Sequence, residues 1–526
     1  MRSLSPKIHE AIYIFAISLL LVSLPVAKSM MSVSQIILIV NWLWEGDLKN
    51  KWKSFLQNKP ALILCSILVV HALGLFYSTD LQYGLNDIRI KIPLALLPLV
   101  FSTSRPISAQ VFQAILQLFL GSMFVASIIS ILILNDIGIH RNVVDIRDIS
   151  IFISHIRFGL LISVSIFIAL YLFGYSSKPI LKLAYIAYIL WQLIFLVILE
   201  SITGLSALFA SLFIIVMIRG FLPQNRLLKW TRLLLVITVA IVCVYFYRIV
   251  MCQQKAKTPK SYVLLERTAE GNLYQQDTSN HQTENGYLIF INYSEKEMEE
   301  AWNQVSDISY KGVDLKGNPL NSTLIRFLAS KGLNKDAAAV KMLSADEISA
   351  IEHGEANVHY QHISSLQGRI HEILWEIDLY KKTGNPNGHS LTQRFEYWKA
   401  ATHIISENLL FGVGTGDVKM AFDKEYSKSN SVLEQRWRLR AHNQYLSIAV
   451  GMGLIGLAWF LLSLFYPMFK LKLQFDFLYV SFFVISIVSF LTEDTLETQA
   501  GVTFYAAFNS FFLFLQPSFK KIRENP

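Results

Sequence analysis

AHNQYLSIAVGMGLIGLAWFLLSLFYP, residues 441–467, lies between the cation-rich RWRLR of 436–440 and the lysines Lys470 and Lys472. It runs for 27 positions without an Asp, Glu, Lys or Arg. About 20 apolar residues in a helix cross the roughly 30 Å hydrocarbon core of a bilayer, so this stretch predicts a membrane-spanning helix. Working outward, the same reading predicts spans near 10–27, 60–77, 109–134, 151–174, 179–199, 202–219, 229–250, 474–491 and 499–516. Shorter runs near 33–43 and 88–101 read as tilted or broken helices. The fold class is therefore all-α: a polytopic membrane protein with about 12 transmembrane helices and one large helical loop domain.

Composition supports that division. Of 526 residues 53% are hydrophobic and only 16% charged, with mean hydropathy +0.42. Ordinary soluble proteins carry roughly 25% charged residues. Residues 251–440 are different, with 22 Lys and Arg and 24 Asp and Glu in 190 positions. The net charge of +9 thus sits in the hydrophobic part, and no basic face is available to follow a nucleic-acid backbone. With the N-terminus inside, the inner segments carry Arg2, Lys7, Lys49, Lys51, Lys53, Lys59, Arg105, Lys178 and Lys182. They continue with Arg219, Arg226, Lys229, Arg232, Lys470, Lys472, Lys520, Lys521 and Arg523. Short outer loops hold little beyond Lys28, Arg89, Lys91, Arg141 and Arg147. By the positive-inside rule both termini are inside and 251–440 is outside. The expected domains are a membrane bundle over 1–250 with about nine spans, the outer domain over 251–440, and a second bundle over 441–526 with about three. The first hydrophobic run is read as an uncleaved helix, because no convincing small-residue cleavage site follows it. Cys65, Cys243 and Cys252 give neither a disulfide framework nor zinc spacing.

The outer segment reads as helical and globular. Ser294 with Glu297 and Ser344 with Glu347 have capping-box spacing, and Gly354 ends the second helix. Ile363, Leu366, Ile370, Ile373, Ile377 and Tyr380 form one apolar face of a helix over 360–383 that Gly384 terminates. Ser390 with Gln393 caps a further helix with the stripe Phe395, Trp398, Ala401 and Ile405. Residues from about 270 to 290 read as loop.

The richest chemistry lies between 389 and 446. Arg394 opens a helix, and His442 stands where the chain re-enters the membrane. Arg offers a planar fork of donors to a phosphate, and His accepts a hydroxyl proton near neutral pH. A cation and an imidazole at the outer interface suit a reaction on a lipid-linked anion. Gly412, Gly414 and Gly416 lack the spacing and lysine of a nucleotide loop and read as a turn. His353, His359 and His362 match no standard ligand spacing, so neither metal nor cofactor is expected. A secondary transporter would keep ionisable residues near the bilayer midplane, where His71 is the main example here.

The arrangement Arg394-x-x-x-Trp398, a Gly-x-Gly turn, His442-Asn443-x-x-Leu446 and then Gly451-x-Gly453-x-x-Gly456 resembles the O-antigen ligase and polymerase superfamily. The resemblance implies a multi-span enzyme of the bacterial inner membrane with one large periplasmic loop, acting in lipopolysaccharide biosynthesis. It implies an inverting, metal-independent glycosyltransferase whose donor is a glycan on undecaprenyl diphosphate and whose acceptor is a hydroxyl of lipid A–core or a similar molecule. Arg394 would steady the diphosphate, with Trp398 and Asn443 in the same motif. His442 would act on the acceptor hydroxyl or the departing phosphate. The family usually supplies a second arginine. Arg267 early in the loop and Arg157 beside His155 rank level for that role, with Arg369 behind them. TGLSALFASL at 203–212 lacks the Ser-Arg pair of many relatives, a gap Arg157 can fill. Glu493 and Asp494, in the last outer loop, can face the same cavity. Ligase is favoured because one outer loop dominates. The alternatives are a repeat-unit polymerase for O-antigen or capsule and, behind it, a polysaccharide transporter.

Overall fold

The computed structural model describes residues 5–138, 140, 146–220, 244, 247, 248, 251, 261–358 and 365–516. Over these the chain is mostly helical and forms two compact units: Met1–His140 with Ile149–Leu233 and Glu376–Pro526, and Arg141–Asp148 with Leu234–Trp375. In the first unit six helices are long and apolar enough to cross a membrane. They are Pro6–Val26, Lys59–Tyr77, Ala109–Leu134, His155–Tyr175, Pro179–Ile198 and Gln444–Lys470. Ile202–Ile218, Phe477–Thr492 and Gln499–Leu515 are apolar but shorter. Of the two short runs, one is the Lys28–Trp44 helix. The other breaks between the Leu81–Lys91 and Pro93–Thr103 helices, where Pro93 lacks the N–H that a continuous helix needs. The expected span near 229–250 falls almost wholly outside the described residues.

The outward faces of these helices are apolar, with Phe15, Ile36, Val40, Leu183, Leu190 and Ile194 exposed, as a lipid surround permits. Inside, small residues bring backbones together. A side chain at Gly204 would press on the Gly159 backbone at 2.9 Å, and Ser163 Oγ donates to the Gly204 carbonyl at 2.9 Å. Aromatic rings fill the rest, with Phe482 against Phe504, Tyr505, Phe508 and Phe512. His71, an ionisable residue inside a span, is buried and its Nδ1 meets its own helix at the Ile67 carbonyl (2.8 Å).

The span quoted at the outset is broken. Gly453 has φ 65° and ψ −169°, a backbone region open essentially to glycine. The groups this break releases are met by the segment that follows the Ser390–Glu407 helix. Leu454 N donates to the Leu409 carbonyl (2.9 Å) and Ile455 N to the Leu410 carbonyl (3.3 Å). In return Val413 N donates to the Val450 carbonyl and Gly414 N to the Gly451 carbonyl, both at 2.9 Å. Gly412, Gly414 and Gly416 thus form the expected turn after the helix, pressed into a membrane helix at its break. Asp417 completes it by accepting from the backbone N–H groups of Thr79 (2.9 Å) and Asp80 (2.8 Å).

The second unit has an ordinary apolar core of Met298, Trp302, Tyr310, Leu324, Phe327, Leu328, Val340 and Ile351. It is built from the helices Glu295–Val305, Leu320–Ser330, Ala337–Lys341 and Ala345–Glu352. The Ser344–Glu347 capping box forms, and Gly354 (φ 75°) follows that helix as expected. The Ser294–Glu297 box does not form. Glu297 is drawn instead into the fold, accepting from Thr268 Oγ1 (2.5 Å) and Asn272 Nδ2 (2.6 Å). Within the expected loop, Asn285 and Gly286, both at positive φ, close a minimal hairpin between Thr283–Glu284 and Tyr287–Leu288. The expected helix over 360–383 is observed as Ser365–Thr383, and residues 359–364 lie outside the described residues.

Candidate active site

The Ser390–Glu407 helix supplies one wall. It starts a residue earlier than the capping pattern suggested, with His389 at the N-cap and no side-chain cap. Gln393 Oε1 accepts instead from the Tyr397 hydroxyl (3.3 Å). From this helix two aromatic side chains hold the chain that returns to the membrane. Tyr397 OH donates to the Trp437 carbonyl (2.8 Å), and Trp398 Nε1 to the Ala441 carbonyl (3.0 Å). Tyr426 OH adds a bond to the Leu439 carbonyl (2.7 Å). The residues before His442 are therefore fixed by their carbonyls, and Tyr397 stacks on the imidazole at 5.7 Å and 30°.

His442 itself has φ 46°, the left-handed region that a residue with a side chain seldom adopts. Asp494 holds it there. One carboxylate accepts from His442 N and Asn443 N, both at 3.0 Å, and from Ser447 Oγ at 2.6 Å. Asn443 caps the following helix, accepting from Leu446 N (3.1 Å) and donating to the Leu491 carbonyl (3.1 Å). The next carboxylate works on side chains. Glu493 Oε1 meets Arg394 Nη2 at 2.6 Å, and Glu493 Oε2 meets His442 Nδ1 at 3.2 Å. Burial alone would raise the Glu493 pKa. The His442 hydrogen bond and the charges of Arg394, His442 and Arg157 outweigh it and hold the carboxyl below its usual range. Arg394 and His442, 48 positions apart in sequence, thus share one carboxylate.

A second cluster lies on the same loop and was not read from the sequence. Glu497 meets Lys91 at 2.7 Å and Arg440 at 3.1 Å, and its other oxygen accepts from Gln444 Nε2 at 3.0 Å. Lys91 also meets Asp87 at 2.6 Å, and Arg440 reaches the Tyr83 hydroxyl at 3.2 Å. Burial would raise Glu497 too, yet Arg440 and Lys91 hold it well below the usual carboxylate range. Asp87 is pushed up to about 6, by burial first and then by the charge of Glu497. The one local signal was Asp87 four residues before Lys91 on a helix; nothing local pairs them with residues some 400 positions on.

The other predicted residues are placed as follows. Arg157, near the start of the His155–Tyr175 helix, donates to Ser154 Oγ (3.2 Å), and its charge acts on Glu493. His155 begins that helix. Arg267 belongs to the other unit, where it is exposed and donates to the Gly271 carbonyl (2.8 Å). Arg369 is also in that unit, on the Ser365–Thr383 helix, and its side chain lies outside the described residues. His353 Nδ1 bonds the Ser349 carbonyl, and His359 and His362 lie outside the described residues.

Residues 348–461 match the family model described as O-antigen ligase. This segment is similar to the O-antigen ligase family. The matched segment contains Arg394, Trp398, His442 and Asn443, while the carboxylates that hold Arg394, His442 and Asn443, namely Glu493 and Asp494, follow it in the chain. Together with the apolar helices it marks a membrane protein of glycosyltransferase-like type. Comparison with curated proteins gives no match.

Proposed function

We propose that the protein transfers a glycan from undecaprenyl diphosphate to an acceptor hydroxyl, of lipid A–core or a similar molecule, at the periplasmic face of the bacterial inner membrane. The observation that carries this reading is the meeting of Arg394 and His442 on Glu493 within and beside a segment similar to the O-antigen ligase family. Nδ1–H of His442 directed at a carboxylate leaves Nε2 as the accepting nitrogen, the tautomer a general base requires. The acceptor oxygen attacks the anomeric carbon as its proton passes to Nε2. The bond from that carbon to the diphosphate oxygen breaks on the opposite face, inverting the centre. Charge accumulates on the departing diphosphate, where Arg394 and Arg157 neutralise it without need of a divalent ion. Trp398 and Asn443 act through the backbone of the His442 turn. The outer placement of the loop rests on the Lys and Arg asymmetry described above.

The test is transfer by the purified protein in excess chelator, using the host's lipid-linked glycan and acceptor. Activity should persist, and loss of transfer restored by magnesium or manganese would overturn the metal-independent step. Deleting the gene should leave full-length polymer on the lipid carrier. Accumulation of single repeat units would instead make the protein a polymerase.

A further inference from the structure

Glu493 and Asp494 are adjacent carboxylates with different work. Asp494 accepts two backbone N–H groups and the Ser447 hydroxyl, and so fixes the shape of the His442 turn. Glu493 works on side chains: its two oxygens go separately to the two that the proposed reaction needs. Arg157 adds a second guanidinium whose charge acts on the same carboxylate. A single carboxylate therefore sits where positive charge converges, on the groups assigned to the substrate's diphosphate.

We propose that Glu493 occupies the anion site of the empty enzyme and that the incoming diphosphate takes Arg394 from it, while Glu493 keeps its hold on His442. The inference rests on the diphosphate-binding reading given above. Three features support it. A partly buried guanidinium needs a counter-charge at all times, and an exchange of one anion for another never leaves it bare. The guanidinium carries five N–H donors in a planar fork, and the contact with Glu493 is made through Nη2, so a diphosphate can approach before the carboxylate leaves. Glu493 is also held in its ionised form, so the competing anion is present at neutral pH.

The consequence is a split in the kinetics that a merely structural carboxylate would not produce. Glu493 weakens substrate binding by competing for Arg394. It speeds the chemical step by opposing the charge that develops on His442. Glu493→Gln should therefore lower KM for the lipid-linked donor and lower kcat as well.

The direct experiment uses full-length protein in nanodiscs, with inorganic diphosphate as the probe and calorimetry as the readout. Glu493→Gln is expected to bind diphosphate roughly tenfold more tightly than the natural protein, as removal of a like charge from an anion site should. Glu493→Asp keeps the charge but is one methylene too short to span both partners, and should tighten binding by a smaller factor. Unchanged or weaker binding in both variants would overturn the inference. Arg394→Ala separates the two levels of the argument. If it abolishes diphosphate binding while the Glu493 variants bind as the natural protein does, only the exchange is wrong. If Arg394→Ala binds diphosphate normally, the phosphate-clamp reading fails and this inference fails with it.

Discussion

Lys311 and Glu299, in the unit that includes Leu234–Trp375, meet at 2.8 Å with the lysine 68% exposed. Lys91 and Glu497, in the other unit, meet at 2.7 Å with 1% and 8% of their side chains exposed. The distances are nearly equal and the consequences are not. Water screens the first pair and can replace either partner. The second is shielded from water and belongs to a buried network, so loss of either ion leaves the remaining charges of that network out of balance. Arg267 and Arg394 repeat the contrast. The first bonds a carbonyl four residues away in its own turn, and the second meets a carboxylate 99 residues away. In these two comparisons the charge shared between distant elements is the buried one, and the charge satisfied nearby is exposed.

The strongest way to break the comparison is Glu497→Ala, which removes the carboxylate that Lys91 and Arg440 share and leaves Arg440 without its buried counter-charge. Removing one partner of a buried pair typically costs about 3–5 kcal/mol, so folded protein should be largely lost in a detergent thermal-unfolding assay. An unchanged transition would mean that water reaches the cluster. The pH dependence carries a definite sign. The folded pKa of Glu497 lies below its unfolded value, so its stabilisation is complete above about pH 4–5 and disappears as pH falls through the folded value. The gap in unfolding temperature between the natural protein and Glu497→Gln should therefore close on acidification.

Arg394→Lys should be nearly as damaging as Arg394→Ala, because a point charge cannot reproduce a planar fork, and loss of one such donor costs roughly 10²–10³-fold in rate. Near-normal transfer by a well-expressed lysine variant would remove Arg394 from the phosphate. Gly453→Ala should lower stability by about 1–3 kcal/mol from backbone strain alone. An added Cβ there would also lie 2.2 Å from the Leu410 carbonyl, so the measured shift in unfolding midpoint should exceed that range. Arg267→Ala should stay within about 0.5 kcal/mol of the natural protein in stability, as exposed substitutions usually do, and should transfer glycan at a normal rate. A large loss of activity would show that the second arginine comes from the loop unit, and would sharpen the contrast by exception.

How far the sequence was legible follows from the range of each interaction. Hydrophobic length needs only neighbours, so six spans and the Ser390–Glu407 helix were read within a few residues of their observed ends. Arg394 and His442 stood out because residue type, spacing and place beside a span agreed, and Glu493 and Asp494 were recognised only as residues able to face them. Glu497, Arg440 and Lys91 were missed because 406 positions separate Lys91 from Glu497 and no local pattern registers such a pairing. The failed Ser294 cap has the same origin, since Thr268 and Asn272 compete for Glu297 from outside the helix. The break at Gly453 was hidden by the uniform apolarity around it, which satisfies a span whether or not the helix is continuous.

That break also bears on how the protein is made. When the Gln444–Lys470 segment first enters the bilayer, the N–H groups of Leu454 and Ile455 have no partner on their own helix, and exposure to hydrocarbon costs several kcal/mol for each. Their partners, the carbonyls of Leu409 and Leu410, precede the helix in the chain and have already been synthesised. Folding must therefore seat the Leu409–Gly414 stretch against this helix as the helix integrates. A delay in this step would be expected to accumulate a form with that stretch unseated and the neighbouring His442 turn not yet assembled.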